Sequence, residues 1–244
     1  MLLTLLYHRV GTGKYATPLP LLQKHFRLIK DKYVDCFPGD RLTRNSICLT
    51  FDDAQFDFYH LIFPLLKQLK LKAVIAAPVK YIQEETTLST EERLKVPLKE
   101  IMTEGVYQTK FPYCTWKELK EMVETGLIRI ASHSYSHPNL KLDSVDLTEE
   151  VILSKHILEK KLGCEIDTFV YPYGKMNRAT HLLVKRHYKY AMRIGSAYNW
   201  NWQNRDGLIY RVSGDNMRSA DEPFKRRAYL KQLGHLLLNS LLKK

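Results

Sequence analysis

The chain has 244 residues, enough to bury a core as one domain or at most two. With 45% hydrophobic and 26% charged residues it is globular, which excludes a disordered or fibrous protein; it also has no apolar run of about eighteen residues that could form a spanning helix. Lys and Arg number 38 against 26 Asp and Glu, a formal +12 that favours an anionic partner (a membrane face, a nucleic acid or an acidic substrate) without choosing among them.

In chain order, MLLTLLYHRVGTG opens on an apolar run without a basic region or a small-residue cleavage site. It reads as a first strand, Leu2–Tyr7, rather than a signal peptide. A helical pattern follows over Leu19–Tyr33, then a strand over Ile47–Phe51, a helix over Phe58–Leu69 and a strand over Ala73–Ala77. The segment Lys80–Tyr113 is polar and fits no strand, so it is expected to be a partly helical excursion or a lid. Thr115-Trp-Lys-Glu118 has the form of a capping box, opening a helix that runs to Thr125. Strands are then expected at Leu127–Ser132, Phe169–Tyr171, Tyr190–Ile194 and Leu208–Val212. Helices are expected at Leu147–Leu162 and Asn177–His187, and Gly126 and Gly163 read as helix stops. Such alternation predicts parallel strands with crossover helices, an α/β fold.

The C-terminal stretch from Glu222 to Lys244 places Phe224, Leu230, Leu233, Leu237 and Leu241 roughly on one helical stripe. Lys225, Arg226, Arg227, Lys231, Lys243 and Lys244 surround it. Packing on the domain is the expected role, with an in-plane helix on an anionic membrane as the alternative. The four cysteines, Cys36, Cys48, Cys114 and Cys164, form no C-x-x-C pair. Reduced thiols in a cytoplasmic protein fit this spacing better than a disulfide scaffold.

Four polar clusters each follow a predicted strand. His8 ends LLTLLYH, Asp52 and Asp53 end ICLTFDD, His133 and His137 follow in HSYSHPNL, and Tyr173 follows FVYP. Parallel α/β sheets and barrels build their sites at the carboxyl ends of strands. Two imidazoles and one carboxylate can form a facial site that leaves positions open for water and substrate. The charge of a bound cation would also make a second, adjacent carboxylate tolerable, free to take a proton from water.

TFDD at 50–53, HSYSHP at 133–138 and YPYG at 171–174 together resemble the polysaccharide deacetylase family, carbohydrate esterase family four. The likeness runs from YHRV at 7–10 to about Arg211. It implies a distorted (β/α)7 TIM-like barrel, placed over residues 1–222; within it the polar 80–113 segment reads as an insertion or lid, and 223–244 reads as a basic amphipathic helix after it. It implies removal of acetyl groups from sugars with a divalent metal, most often zinc. Asp53, His133 and His137 would be the metal ligands, Asp52 the general base, and the Tyr173 backbone N–H an oxyanion donor. LLYH at 5–8 resembles the acid motif of circularly permuted exopolysaccharide deacetylases, which makes His8 the general acid.

Two departures stand out. Tyr171 occupies the place of the family's base-orienting Arg, a role Arg211 in LIYRVSGD could take, and Ala54 replaces the usual Gly. Tyr198, Trp200 and Trp202 are candidate sugar-stacking residues, with ordinary loop packing as the other reading.

The expected substrate is an acetylated sugar or glycan, intracellular and lipid- or nucleotide-linked. The basic surface would contact the inner face of an anionic membrane, and no nucleic-acid motif is present. Rival readings are a same-fold hydrolase of a non-sugar amide or cyclic imide, and a non-catalytic glycan- or membrane-binding module.

Overall fold

Each of the seven apolar runs forms a strand. The structure, a computed structural model, describes residues 1–204 and 206–241. The strands are β1 Leu2–Tyr7, β2 Ser46–Phe51, β3 Ala73–Ala77, β4 Ile128–Ser132, β5 Thr168–Val170, β6 Tyr190–Ile194 and β7 Ile209–Ser213. Their lateral order is β1-β7-β6-β5-β4-β3-β2, and β2 returns to β1, so all seven close into one parallel barrel. Closure is made by a register from Leu2↔Ser46 to Tyr7↔Phe51 on one side of β1, and by Leu5↔Val212 and Leu6↔Ser213 on the other. The strands read as nearly unbroken apolar runs because helices cover one face and the barrel interior the other. This is the expected distorted (β/α)7 barrel.

The helices are α1 Leu19–Lys32 and α2 Phe63–Leu69, then two short ones in the polar segment, α3 Thr90–Leu94 and α4 Val106–Lys110. After them come α5 Trp116–Glu124, α6 Ser154–Leu162, α7 Arg178–His187 and α8 Arg226–Leu241. The capping box at Thr115 is present, and Gly163 closes α6 at φ 67. Single continuous helices were expected over Phe58–Leu69 and Leu147–Leu162. Both instead begin with a π-helical turn, over Phe58–Ile62 and Thr148–Leu153. Arg93 of α3 ties the polar segment down. It is buried, forks onto Glu118 at 2.6 and 2.9 Å, and lies 3.4 Å from the Phe56 ring centre.

Side chains along a strand alternate between faces. Leu2, Cys48, Val74, Ala76, Ala131, Val170, Met192 and Ile209 form one buried cluster inside the barrel, while Leu3, Leu5, Ile47, Leu49, Ala73, Ile75, Ala77, Ile128, Ile130 and Phe169 pack outward against the helices. Continuing the inward parity to the strand ends reaches His8 on β1, Asp52 on β2, His133 on β4 and Arg211 on β7. The alternation that builds the apolar interior therefore also aims four polar groups into its mouth.

The aromatic run at 198–202 lies at the other end. Leu2 pairs with Asn199, and the Asn199 side chain bonds both the N–H and the C=O of Tyr210. Trp202 is buried with the interior cluster, its indole N–H donating to Asp40 O, and Tyr198 packs on Tyr229 of α8. Tyr198 and Trp202 are therefore packing residues and Trp200 is an exposed ring, all far from the strand carboxyl ends, because Asn199 anchors their loop to the starts of β1 and β7.

The C-terminal helix docks through only part of the expected stripe: Phe224 and Leu233 pack against the core, joined by residues outside the stripe. Gln232 and Leu236 are buried, whereas Leu230, Leu237 and Leu238 are at least half exposed beside Arg227 and Lys231. Phe224, just before the helix, stacks on Tyr33 and His25. The Leu241 side chain, Lys243 and Lys244 lie outside the described residues. All four cysteines are free thiols.

Candidate active site

Every residue singled out as catalytic or metal-binding gathers at the carboxyl end of the barrel. Asp53 Oδ1 lies 3.4 Å from His137 Nε2 and 3.7 Å from His133 Nε2, and the two Nε2 atoms are 3.2 Å apart. These three side chains form a compact candidate metal site among the described residues.

The donor chemistry fits a cation. His133 Nδ1 donates to Val170 O at 2.8 Å, so in the neutral ring Nε2 carries a lone pair aimed at its neighbours. Burial, reinforced by His137, pushes His133 down to about 4 against the pull of Asp52 and Asp53, which keeps it neutral. Asp53 Oδ1 is buried and accepts no hydrogen bond. A lone pair and an orphaned carboxylate oxygen facing one another repel unless something positive joins them. Ligands at about 2.0–2.1 Å around a tetrahedral ion stand roughly 3.4 Å apart, which matches the observed spacings.

Asp52 belongs to a different pairing. Arg211 meets it in a bidentate fork, Nη1 to Oδ1 at 2.6 Å and Nη2 to Oδ2 at 2.9 Å, with both side chains buried. Burial works to raise the Asp52 carboxyl, but the Arg211 guanidinium, aided by His133 and His8, holds it well below the ordinary carboxylate range. Its Oδ2 is 3.7 Å from His133 Nε2 and 3.9 Å from His8 Nε2. Tyr171 has the outward parity and bonds His181 instead, so the orienting cation comes from β7.

Backbone geometry explains how neighbouring aspartates serve two sites. Asp52 continues the strand parity, while Asp53 turns to φ 70 and Ala54 to φ 49. The left-handed region costs a non-glycine residue about 1–3 kcal/mol, which is the physical reason glycine suits position 54. Ser134 (φ 66), His137 (φ 60) and Tyr173 (φ 56) are bent in the same way. Gln55↔Tyr113 bridging and the Cys114 N–H to Ala54 O bond hold the first turn. The buried Glu150 holds the second by accepting from the N–H groups of Tyr135 and Ser136 and from the Ser136 hydroxyl.

Reasoning from sequence missed Asp215. Its carboxylate takes the His8 backbone N–H at 3.0 Å and His8 Nδ1 at 2.6 Å. Burial works to lower His8, but the Asp215 hydrogen bond, with the charges of Asp52, Asp215 and Asp53, raises it to about 9. The two residues are 207 positions apart and meet only because β1 and β7 are neighbours. Tyr173 stands at the rim beside His137.

Residues 39–191 match the family model for polysaccharide deacetylases, and the chain belongs to that family. A poly-beta-1,6-N-acetyl-D-glucosamine N-deacetylase of Escherichia coli K12 is 23% identical over 174 residues, 57% of this chain and 23% of that protein. The protein of the same description from Staphylococcus aureus MRSA252 is 25% identical over 146 residues, 56% of this chain and 43% of its own. This chain thus spans less than half the length of these curated relatives. Among solved structures, the Streptococcus pyogenes deacetylase PplD, in complex with acetate, superposes with a TM-score of 0.72 at 22% identity, covering 95% of this chain and 97% of that one. IcaB from Ammonifex degensii gives 0.70 at 19%, covering 93% and 95%. At these identities the likeness establishes the fold.

Proposed function

We propose that this chain is a metal-dependent N-deacetylase of acetamido sugars within a glycan, acting with one divalent ion, zinc by preference, on Asp53, His133 and His137. The observation that carries the reading is the division of labour between adjacent aspartates: an orphaned Asp53 oxygen facing two imidazoles, and an Asp52 kept ionised by Arg211. Family membership supports deacetylation, and the relatives described as acting on poly-beta-1,6-N-acetyl-D-glucosamine support an acetylated glycan as substrate.

When bound, the ion would supply a Lewis acid for the acetyl carbonyl and a lowered pKa for water at the site. Asp52 takes the proton from the attacking water as its oxygen adds to the acetyl carbon. Arg211 keeps that carboxylate ionised and aimed. The Tyr173 N–H is the protein donor for the developing oxyanion. His8, held by Asp215, gives its proton to the departing nitrogen as the C–N bond breaks, leaving acetate and a free amine. The direct test is acetate release from β-1,6-linked N-acetylglucosamine oligomers, lost on chelation and restored by zinc. No release under any metal would reject this function.

His8→Ala should slow hydrolysis of the amide by about 10²–10⁴-fold and that of an activated aryl acetate far less, because an aryl oxide leaves without a proton. Parallel kcat/KM measurements check this, and equal losses on both substrates would remove His8 from the acid role.

A second expectation concerns pH. The folded protein raises His8 above its ordinary value, so the stability it adds is fully present below about pH 6.5 and is lost as pH rises through about 9. Asp215→Asn should move the His8 titration in the metal-free protein down toward the ordinary range, as followed by NMR of the imidazole. An unmoved titration would show that Asp215 does not tune it.

A further inference from the structure

Two tyrosine rings stand at the mouth without the packing that usually explains a large apolar side chain. Tyr15 is 45% exposed and Tyr173 is 57% exposed. Both hold left-handed backbones, at φ 58 and φ 56, a rare and strained conformation for a bulky residue. Each ring touches a histidine of the site: Tyr15 lies 5.1 Å from His8 and Tyr173 4.7 Å from His137, between ring centres. The tyrosines therefore flank the constellation on its acid side and its metal-ligand side. The short pairing of Arg9–Val10 with Ala16–Thr17 fixes the turn that carries Tyr15.

We infer that Tyr15 and Tyr173 form an aromatic clamp for the pyranose ring that carries the scissile acetamide. This deepens the proposed function and rests on it. For the amide to reach Asp52 and the Asp53–His133–His137 group, the sugar ring that bears it must stay one or two bonds further out, at the level of these rings. A pyranose presents axial C–H groups on its faces and hydroxyls around its edge. The C–H faces complement the negative face of an aromatic ring, and the edge is left to water and to tyrosine hydroxyls. The exposed Lys14 ammonium, 4.7 Å from the Tyr15 ring centre, adds a donor at the same edge. Exposure and strain then share one explanation: the left-handed backbone turns each ring out over the mouth instead of into the core.

The test uses an Asp52→Asn chain, so that binding is measured without turnover, and a β-1,6-linked N-acetylglucosamine tetramer followed by calorimetry. Tyr15→Asn removes the ring and leaves a residue that tolerates the left-handed backbone. It should weaken Kd about five- to ten-fold with metal content unchanged. Tyr173→Asn should do the same, and Tyr15→Phe should stay within about two-fold of the parent. Unchanged binding in both Asn variants would overturn the clamp, and so would a Tyr15→Phe loss as large as that of Tyr15→Asn. If the unsubstituted chain releases acetate from the tetramer while both Asn variants bind normally, the clamp falls and the proposed function stands. If the unsubstituted chain neither binds the tetramer nor releases acetate, both fall.

Discussion

Asp52→Asn is expected to reduce acetate release by about 10²–10⁴-fold while the protein still takes up one divalent ion. Asn cannot accept the proton from water, and Asp52 lies beside the ligand set rather than within it. The substitution has a second cost. Arg211 would keep its buried position without its carboxylate, and breaking a buried pair of this kind costs about 3–5 kcal/mol. A lower melting temperature is therefore part of the expected result, and turnover must be compared at a temperature where the variant is folded. A folded Asp52→Asn chain with near-normal turnover would take the base role away from Asp52. Loss of the ion in that variant would mean that the division between the two aspartates is wrong.

His133→Ala is expected to remove the metal itself. His133 supplies one of three donors and is fixed by its bond to Val170 O. Loss of an outer-shell partner alone typically costs about 10–100-fold in metal affinity, so deleting a ligand should cost more than that. Turnover should fall to background at metal concentrations that saturate the parent chain. Equilibrium dialysis with elemental analysis checks this, and full occupancy in His133→Ala would contradict the ligand assignment. The two variants separate cleanly: one keeps the ion and loses turnover, the other loses both.

Much of this was legible in the sequence because parallel strands buried on both faces read as short apolar runs, and because each chemically important residue directly follows one. Leu2–Tyr7, Ala73–Ala77 and Tyr190–Ile194 form over the expected residues, and the capping box at Thr115 marks its helix start. The positions of His8, Asp52, Asp53, His133 and His137 needed only the rule that barrel sites form at strand carboxyl ends.

What stayed hidden depends on which parts of the chain come together. Asp215 is one acidic residue in a loop until β7 closes beside β1. Glu150 reads as one more surface carboxylate, yet it folds inward to hold the 134–136 turn. The Tyr198–Trp202 run has the composition of a sugar platform, but Asn199 fixes it at the far end of the barrel. The leucine stripe of α8 obeys helical spacing, yet of its leucines Leu233 packs inward with Gln232 and Leu236 while Leu230 and Leu237 stay exposed, because spacing alone does not say which side meets the barrel. The rim tyrosines were invisible as a pair, since nothing in the sequence announces a left-handed backbone at Tyr15 or Tyr173.

The most direct measurement is a crystal soaked in zinc, with anomalous scattering used to locate the ion. The expected result is one ion bonded to Asp53 Oδ1, His133 Nε2 and His137 Nε2, with Asp52 still paired to Arg211 and not coordinating. An ion bound elsewhere, a coordinating Asp52, or no ion at saturating zinc would contradict it.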